Sequence, residues 1–319
     1  MFFTVLKKLS KIKASEFLLF VGAAFVYIVL ISWALDYRKT QFSDGINKIE
    51  DSNTLGASIK DSSLDKVNYP RLLGSEIVDI DAKSAFAVDA DSGVILYQKN
   101  FQKPVMPAST SKIITSMVAL DAYELDQKLT VYGVEVEGQK VGFKEGEVLT
   151  ARDLLYALLL PSANDAAEIL AQNYPGGRDL FIAAMNIKAQ NLGLKNSVFI
   201  NPSGLDEYGQ TTTAEDLVRA SFYAMQNPVF EKIVATKSYQ IVNDNGEVKY
   251  NLYNINRLLG EVEGVRGIKT GKTDGAMENL ITYVERGNTK VLIAVLGSSD
   301  RFNETKKLID WIYSSYDFY

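Results

Sequence analysis

The 319-residue sequence contains neither cysteine nor histidine. The absence of cysteine excludes disulfides, thiolate catalysis and cysteine-ligated metal sites. The absence of histidine excludes a Ser-His-Asp triad, a Cys-His pair and the H-E-x-x-H zinc motif. A serine nucleophile in this chain therefore needs a different base. Lysine is the leading candidate, because burial and neighbouring cations can lower its pKa enough to expose the free amine.

Charge and composition restrict the class of partner. The formal net charge is −5 and apolar residues make up 47% of the chain. The part after the N-terminal segment has no run of basic residues, so it lacks the electrostatic footprint of nucleic-acid binding. We expect no nucleic-acid partner. The length is sufficient for one large domain or two smaller ones with an ample core.

A long uncharged segment lies near the N-terminus. Four lysines within residues 1–15 precede residues 17–35, none of which is charged. A helix of this length nearly spans the hydrocarbon core of a bilayer, and the preceding lysines place the N-terminus in the cytoplasm. A cleavable signal peptide is the alternative, although its apolar region is usually shorter. Both interpretations place everything after residue 36 outside the cytoplasm.

These patterns predict a domain organisation. We expect a cytoplasmic N-terminus over 1–15, a transmembrane anchor over 16–36, a polar linker over 37–76 and a folded domain over 77–319. Hairpin signals around residues 91–93, 243–246 and 286–288 predict strands. Helical signals dominate residues 150–236, with capping-box starts at Thr150 and Thr213. Strands at both ends of a helical middle predict one antiparallel sheet with an inserted helical subdomain.

The segment from Pro107 to Lys112 reads Pro-Ala-Ser-Thr-Ser-Lys and leads into the apolar spacing of a helix with one buried face. Ser109 and Lys112 are i and i+3, so their side chains share a face one turn apart. A hydroxyl and an amine this close are a candidate nucleophile and base. A helix-capping role for Ser109 is the alternative that this motif alone leaves open.

A second polar cluster, residues 267–273, suggests a phosphate-binding loop, G-x-x-x-x-G-K-[ST]. The register is wrong, because the first glycine would have to occupy position 266, which is Arg266. The chain also continues into a strand, whereas a phosphate loop leads into a helix. The segment is better interpreted as a strand that lines a cleft.

Three short motifs occur in one order: S-x-x-K at 109–112, S-x-N at 162–164 and K-T-G at 269–271. Together they are typical of penicillin-binding proteins and class A β-lactamases. Residues 78–317 resemble the low-molecular-mass penicillin-binding proteins that act as serine-type D-alanyl-D-alanine carboxypeptidases. The likeness includes residues 154–167, 185–205, 254–256 and 298–304. Ala163 and Ser203 stand where the family usually has glycine and frequently has histidine.

This resemblance implies an α/β (α+β) fold of the β-lactamase/transpeptidase type, with a five-stranded antiparallel sheet flanked by helices. It implies that Ser109 is the nucleophile and that Lys112 is its base, kept neutral by the charge of Lys269 and by burial. Ser162 would relay the proton to the leaving D-alanine. Asn164 would orient Lys112 and the substrate amide.

The same resemblance implies a substrate-binding edge. The residues assigned to it are Lys269, Thr270, Gly271, Lys272 and Arg301. The backbone N–H groups of Ser109 and Lys272 would hold the oxyanion, and Thr270 and Arg301 would bind the terminal carboxylate. Neither a cofactor nor a metal is implied.

The implied partners are peptidoglycan stem peptides that end in D-Ala-D-Ala, β-lactams as covalent inhibitors, and the lipid bilayer through the N-terminal helix. The implied location is the bacterial cell membrane, with the catalytic domain on the extracytoplasmic side. Many family members continue into a β-rich domain and an amphipathic helix; this chain ends at Tyr319, so the N-terminal segment is expected to provide the anchor.

Three alternatives stay open. A D,D-endopeptidase would use the same residues to cut cross-links. A class A β-lactamase would need a glutamate for the deacylating water, and the E-x-x-L-N segment that the resemblance associates with it is missing between the second and third motifs. A binding module without turnover is the non-enzyme alternative, which the intact motifs disfavour.

Overall fold

The computed structural model describes residues 69–74, 76–243 and 245–318. The strands of this part are β1 Arg71–Leu72, β2 Ser84–Asp89, β3 Ile95–Lys99, β4 Lys128–Thr130, β5 Val148–Thr150, β6 Ser238–Val242, β7 Val248–Tyr253, β8 Val265–Thr273, β9 Met277–Arg286, β10 Thr289–Ser298 and β11 Tyr316–Asp317. Its α-helices are α1 Lys112–Ala122, α2 Ala151–Leu159, α3 Asn164–Gln172, α4 Arg178–Asn191, α5 Ala214–Met225, α6 Pro228–Val234 and α7 Arg301–Ser315. A 3-10 turn, Ala108–Ser111, immediately precedes α1.

The predicted cytoplasmic N-terminus, the anchor and most of the linker lie outside the described residues. Among the helices that the structure describes, none combines the length and the apolar character needed to cross a bilayer. Two residues of the segment interpreted as linker, Arg71 and Leu72, pair antiparallel with Asp317 and Tyr316.

The central sheet has five strands in the order β3-β2-β10-β9-β8. Strand β2, from the N-terminal side of the domain, pairs antiparallel with β10 from the C-terminal side, with Ala87 opposite Ile293. An antiparallel sheet built from both ends of the domain is confirmed, as are the five strands that the resemblance implied. The strands on either side of the second hairpin signal, β6 and β7, form a separate two-stranded sheet instead of joining it. Strand β8 lies at one edge of this sheet.

Strand β10 shows how the two faces of the sheet are buried. Val291, Ile293 and Val295 belong to a core that includes side chains of α7. Leu292 and Ala294 point the other way, into the core formed with the helical middle of the chain. Because both faces of β10 are covered, its sequence is a continuous apolar run from Val291 to Leu296. Each buried side chain of this size contributes about 1.5–3 kcal/mol to stability.

The capping box predicted at the start of α2 is present. The Thr150 hydroxyl accepts from Asp153 N at 3.1 Å, and the Asp153 carboxylate accepts from Thr150 N at 3.3 Å. Only half of the second box forms: Thr213 Oγ1 accepts from Asp216 N, but the Asp216 carboxylate accepts from Ser197 Oγ at 2.8 Å. Ser197, 19 residues earlier in the chain, therefore takes the place of the Thr213 backbone N–H that a capping box would use.

The fold distributes the three motifs over three elements. The first motif spans the 3-10 turn and the first residue of α1. The second joins α2 to α3, and the third lies on edge strand β8.

Candidate active site

The first motif places a hydroxyl against an amine, as the i and i+3 spacing predicts. Ser109 lies in the 3-10 turn, and Lys112 Nζ lies 2.8 Å from its Oγ. The residue before the serine, Ala108, has φ 48°, a left-handed conformation that costs a non-glycine residue about 1–3 kcal/mol and persists only where the surroundings hold it. The contacts that hold this turn are therefore part of the site.

Lys112 Nζ has three oxygen atoms within hydrogen-bond distance, one of them Ser109 Oγ. Its Nζ donates to Asn164 Oδ1 at 2.7 Å and to the carbonyl oxygen of Ser203, and the side chain is fully buried. A protonated lysine has three N–H donors, whereas the neutral amine has two and one lone pair. An ammonium would donate to all three oxygens, whereas a neutral amine that donates to Asn164 and Ser203 would turn its lone pair towards the Ser109 hydroxyl.

Burial lowers the pKa of Lys112 from 10.5 to about 7, against the opposing effect of Asp165 and Glu168. The pKa of Lys269 is also lowered well below its usual value, first by burial and then by the charges of Lys112 and Arg301. The resemblance implied that the charge of Lys269 and burial together keep Lys112 neutral. In the structure the principal cause for Lys112 is burial, and Lys269 has a lowered pKa of its own.

The second and third motifs meet through Ser162 and Lys269. Lys269 Nζ donates to Ser162 Oγ at 2.8 Å and to the Thr270 carbonyl at 2.9 Å. Ser162 has φ 67°, in the left-handed region. It follows α2 and precedes α3, so this sharp local turn directs its hydroxyl away from the helices and towards β8.

Gly271 lets β8 approach the 3-10 turn that contains Ser109. A Cβ at this position would lie 3.0 Å from Ala108 Cβ and 3.1 Å from Ser109 N. Any side chain would therefore push the strand away from the turn. Because β8 is an edge strand, backbone groups on its outer side are available to pair with an extended peptide.

Arg301, the first residue of α7, reaches the same stretch of β8. Its Nη1 donates to the Gly271 carbonyl at 2.9 Å and lies 4.0 Å from Glu278 Oε2. Thr270 directly precedes Gly271 and is buried. The side chain of Lys272 points elsewhere, because it is 68% exposed and its Nζ pairs with Glu278 Oε1 at 3.0 Å.

Sequence reasoning assigned no role to the segment around Ser203. Its carbonyl accepts from Lys112, and Ser109 Oγ lies 3.5 Å from the same oxygen. The next residue must be glycine, because a Cβ at Gly204 (φ +85°) would lie 2.0 Å from the Ala108 carbonyl oxygen. Every residue has a carbonyl, so the sequence carried no signal for this contact.

Asn279 is a second residue that sequence reasoning missed. It lies on β9 opposite Gly271, and its side chain is fully buried. Its Nδ2 donates to the carbonyls of Met106 and Pro107 at 3.1 and 3.0 Å, while its Oδ1 accepts from Gly297 N at 2.8 Å. It fastens the chain that enters the Ser109 turn to the sheet. The only sequence signal was a polar residue directly before the apolar residues Leu280 and Ile281.

A groove of about 700 Å³ lies beside Ser203, between residues 133–137 and residues 201–207. In the described ranges no three carboxylates are close enough together to hold a metal ion.

The geometry can be compared with known proteins. A family model described as D-alanyl-D-alanine carboxypeptidase, Peptidase S11, matches residues 72–300. D-alanyl-D-alanine carboxypeptidase DacB2 of Mycobacterium tuberculosis is 37% identical over 245 residues, which is 74% of this chain and 83% of that protein. DacF of Bacillus subtilis is 30% identical, and the match covers 74% of this chain and 63% of DacF.

Other relatives carry a different activity in their names. A protein of Escherichia coli named D-alanyl-D-alanine endopeptidase is 32% identical over 73% of this chain and 78% of its own length. Among solved structures, the Streptomyces K15 DD-transpeptidase superposes with a TM-score of 0.70 at 30% identity, covering 75% of this chain and 100% of that one.

Proposed function

The chain belongs to the D-alanyl-D-alanine carboxypeptidase family of serine-type peptidases, Peptidase S11, and on this basis we propose that it removes the terminal D-alanine from peptidoglycan stem peptides through an acyl-enzyme on Ser109. The observation that carries the proposal is the buried Lys112 amine, which lies 2.8 Å from Ser109 Oγ and whose pKa is lowered by burial. This arrangement supplies a base for a serine in a chain without histidine.

In the first step Ser109 Oγ attacks the carbonyl carbon of the penultimate D-alanine, and its proton passes to Lys112 Nζ. The backbone N–H groups of Ser109 and Lys272 bind the oxyanion that forms. The loss of one such donor typically costs about 2.7–4 kcal/mol of transition-state stabilisation. The close approach that Gly271 permits supports this pairing, since it brings β8 against the Ser109 turn.

The second step breaks the peptide bond. The intermediate collapses to an ester on Ser109, and the nitrogen of the departing D-alanine takes a proton from the Ser162 hydroxyl. Ser162 then recovers a proton from the two buried lysines, Lys112 and Lys269. The contact between Ser162 and Lys269 at 2.8 Å supports this relay. Water then hydrolyses the ester, with Lys112 as base, and releases the shortened peptide.

The terminal carboxylate binds between Thr270 and Arg301. A guanidinium suits this task because it stays charged and presents several donors to a carboxylate. Arg301 is held at β8 by its bond to the Gly271 carbonyl. Asn164 orients Lys112 through its Oδ1.

The full-length protein is tested with a peptide that ends in D-Ala-D-Ala, and the product is free D-alanine. Wild type should release one D-alanine per peptide, and Ser109→Ala should release none. Release by the Ser109→Ala variant would contradict the proposal. Cross-linked peptides assayed side by side test the alternative of D,D-endopeptidase activity, the activity named for two of the relatives.

We also propose, from the uncharged segment 17–35 and the lysines before it, that the N-terminal segment anchors the enzyme in the bacterial membrane with the catalytic domain outside. Fractionation should then recover the protein in the membrane at its full mass. A soluble form shortened by about 35 residues would favour a cleaved signal peptide.

A further inference from the structure

The carboxylate of Asp165 holds a loop against the second motif. Asp165 directly follows Asn164 at the start of α3 and is 3% exposed. Its oxygens accept from the backbone N–H groups of Val141, Gly142 and Phe143 at 3.2, 2.7 and 3.4 Å. A fourth bond comes from Ala166 N at 3.0 Å.

The same loop fixes the orientation of Asn164. Asn164 Nδ2 donates to the Glu137 carbonyl at 2.7 Å, and Asn164 N donates to the Gln139 carbonyl at 2.7 Å. An amide whose nitrogen is held in this way must direct its oxygen to the opposite side, where Oδ1 meets Lys112 Nζ. Gly138 leaves room for the contact, since a Cβ there would lie 3.1 Å from Asn164 Nδ2.

We propose that Asp165 is a positioning residue for the catalytic lysine: by clamping residues 141–143 it holds the loop that orients Asn164, and through Asn164 it aims the Lys112 amine at Ser109. This inference rests on the proposed function, because it assigns Lys112 as the base. Asp165 itself makes no contact with the reacting atoms.

The negative charge of Asp165 has a second effect, which provides a separate readout. The carboxylates of Asp165 and Glu168, both on α3, act on the pKa of Lys112. From β8 it faces Lys269, whose own pKa it lowers. Its other contacts are uncharged. Both carboxylates raise the pKa of Lys112 against burial, so removing either should lower that pKa.

Glu168 is the matched control for this charge. It lies one turn after Asp165 on α3, but its carboxylate bonds to Arg178 at 2.7 and 3.2 Å. Glu168→Gln removes the charge and leaves the bonds from residues 141–143 to Asp165 intact, whereas Asp165→Asn removes charge and clamp together. Asp165→Glu keeps the charge and displaces the clamp.

The experiment measures the rate of Ser109 acylation by a β-lactam in the full-length protein from pH 5 to pH 9. In the plot of rate against pH, Asp165→Asn should lower the plateau rate at high pH at least tenfold. It should also move the acid limb, where the rate falls as Lys112 is protonated, to lower pH. Glu168→Gln should move the acid limb with a plateau within twofold of wild type. Asp165→Glu should lower the plateau and leave the limb in place, which also covers the case in which Asp165→Asn does not fold.

A double-mutant cycle tests whether Asp165 acts through Asn164. In an Asn164→Ala background, Asp165→Asn should change the plateau rate less than twofold. An equal loss in both backgrounds would overturn the inference, as would an Asp165→Glu plateau equal to that of wild type. Absence of acylation in the wild type would instead contradict the proposed function, so the two failures are distinguishable.

Discussion

The protonation of Lys112 should set how Ser109 acylation depends on pH. With a pKa of about 7, the neutral fraction of the amine is about 0.9 at pH 8 and about 0.01 at pH 5. Only the neutral amine can take the serine proton, so the second-order rate constant should fall about ninety-fold over that interval. The loss should approach tenfold per pH unit below about pH 6.

The assay follows acylation by a chromogenic β-lactam under single-turnover conditions, which separates the first step from hydrolysis of the ester. A lysine that kept its ordinary pKa of 10.5 would give a rate that rises about tenfold per unit through pH 9. A rate that still climbs there, or one that is flat from pH 5 to pH 8, would refute the reasoning. Lys112→Arg, whose guanidinium stays protonated, should not be acylated at any pH in this range.

Three substitutions test the rest of the site. Arg301→Gln should raise KM for D-Ala-D-Ala peptides at least tenfold, in keeping with about 1.5–3 kcal/mol for a charged hydrogen bond. The control is Arg257→Gln, which alters the other guanidinium over the Phe302 ring and should change KM less than twofold. Gly271→Ala should slow acylation at least tenfold, because the new Cβ would lie 3.0 Å from Ala108 Cβ. A wild-type rate would show that the close contact between β8 and the Ser109 turn is not needed for acylation. Asn279→Ala should slow acylation per folded molecule. The control is Asn173→Ala, which removes similar hydrogen bonds to two carbonyls far from the site and should lower only the melting temperature. Equal effects of the two variants on acylation would count against a specific role for Asn279.

The architecture was predictable from the sequence where the signal is local. The capping box at Thr150, the hairpin signals and the Ser109–Lys112 spacing each depend on residues within one turn of one another. The apolar runs of strands β9 and β10 also indicate burial on both faces. These local signals sufficed to place strands at both ends of the domain around a helical middle.

The site was predictable only in part, because its remaining contacts join distant residues or use backbone atoms. Neither the Ser203 carbonyl nor the loop around Gly138 has a side-chain signature. Asp216 reads as a local cap but bonds to Ser197 instead. The short strands β4 and β5 hold three residues each, too few to show a period. Asp165 is next to a recognised motif, yet three of its four partners are N–H groups more than twenty residues earlier.

The most direct test of the account is the intact mass of the full-length protein after incubation with penicillin. We expect one covalent adduct on the wild type, located by peptide mapping at Ser109, and none on Ser109→Ala. An unmodified wild type, or an adduct that persists in Ser109→Ala, would contradict the central claim that Ser109 is the nucleophile.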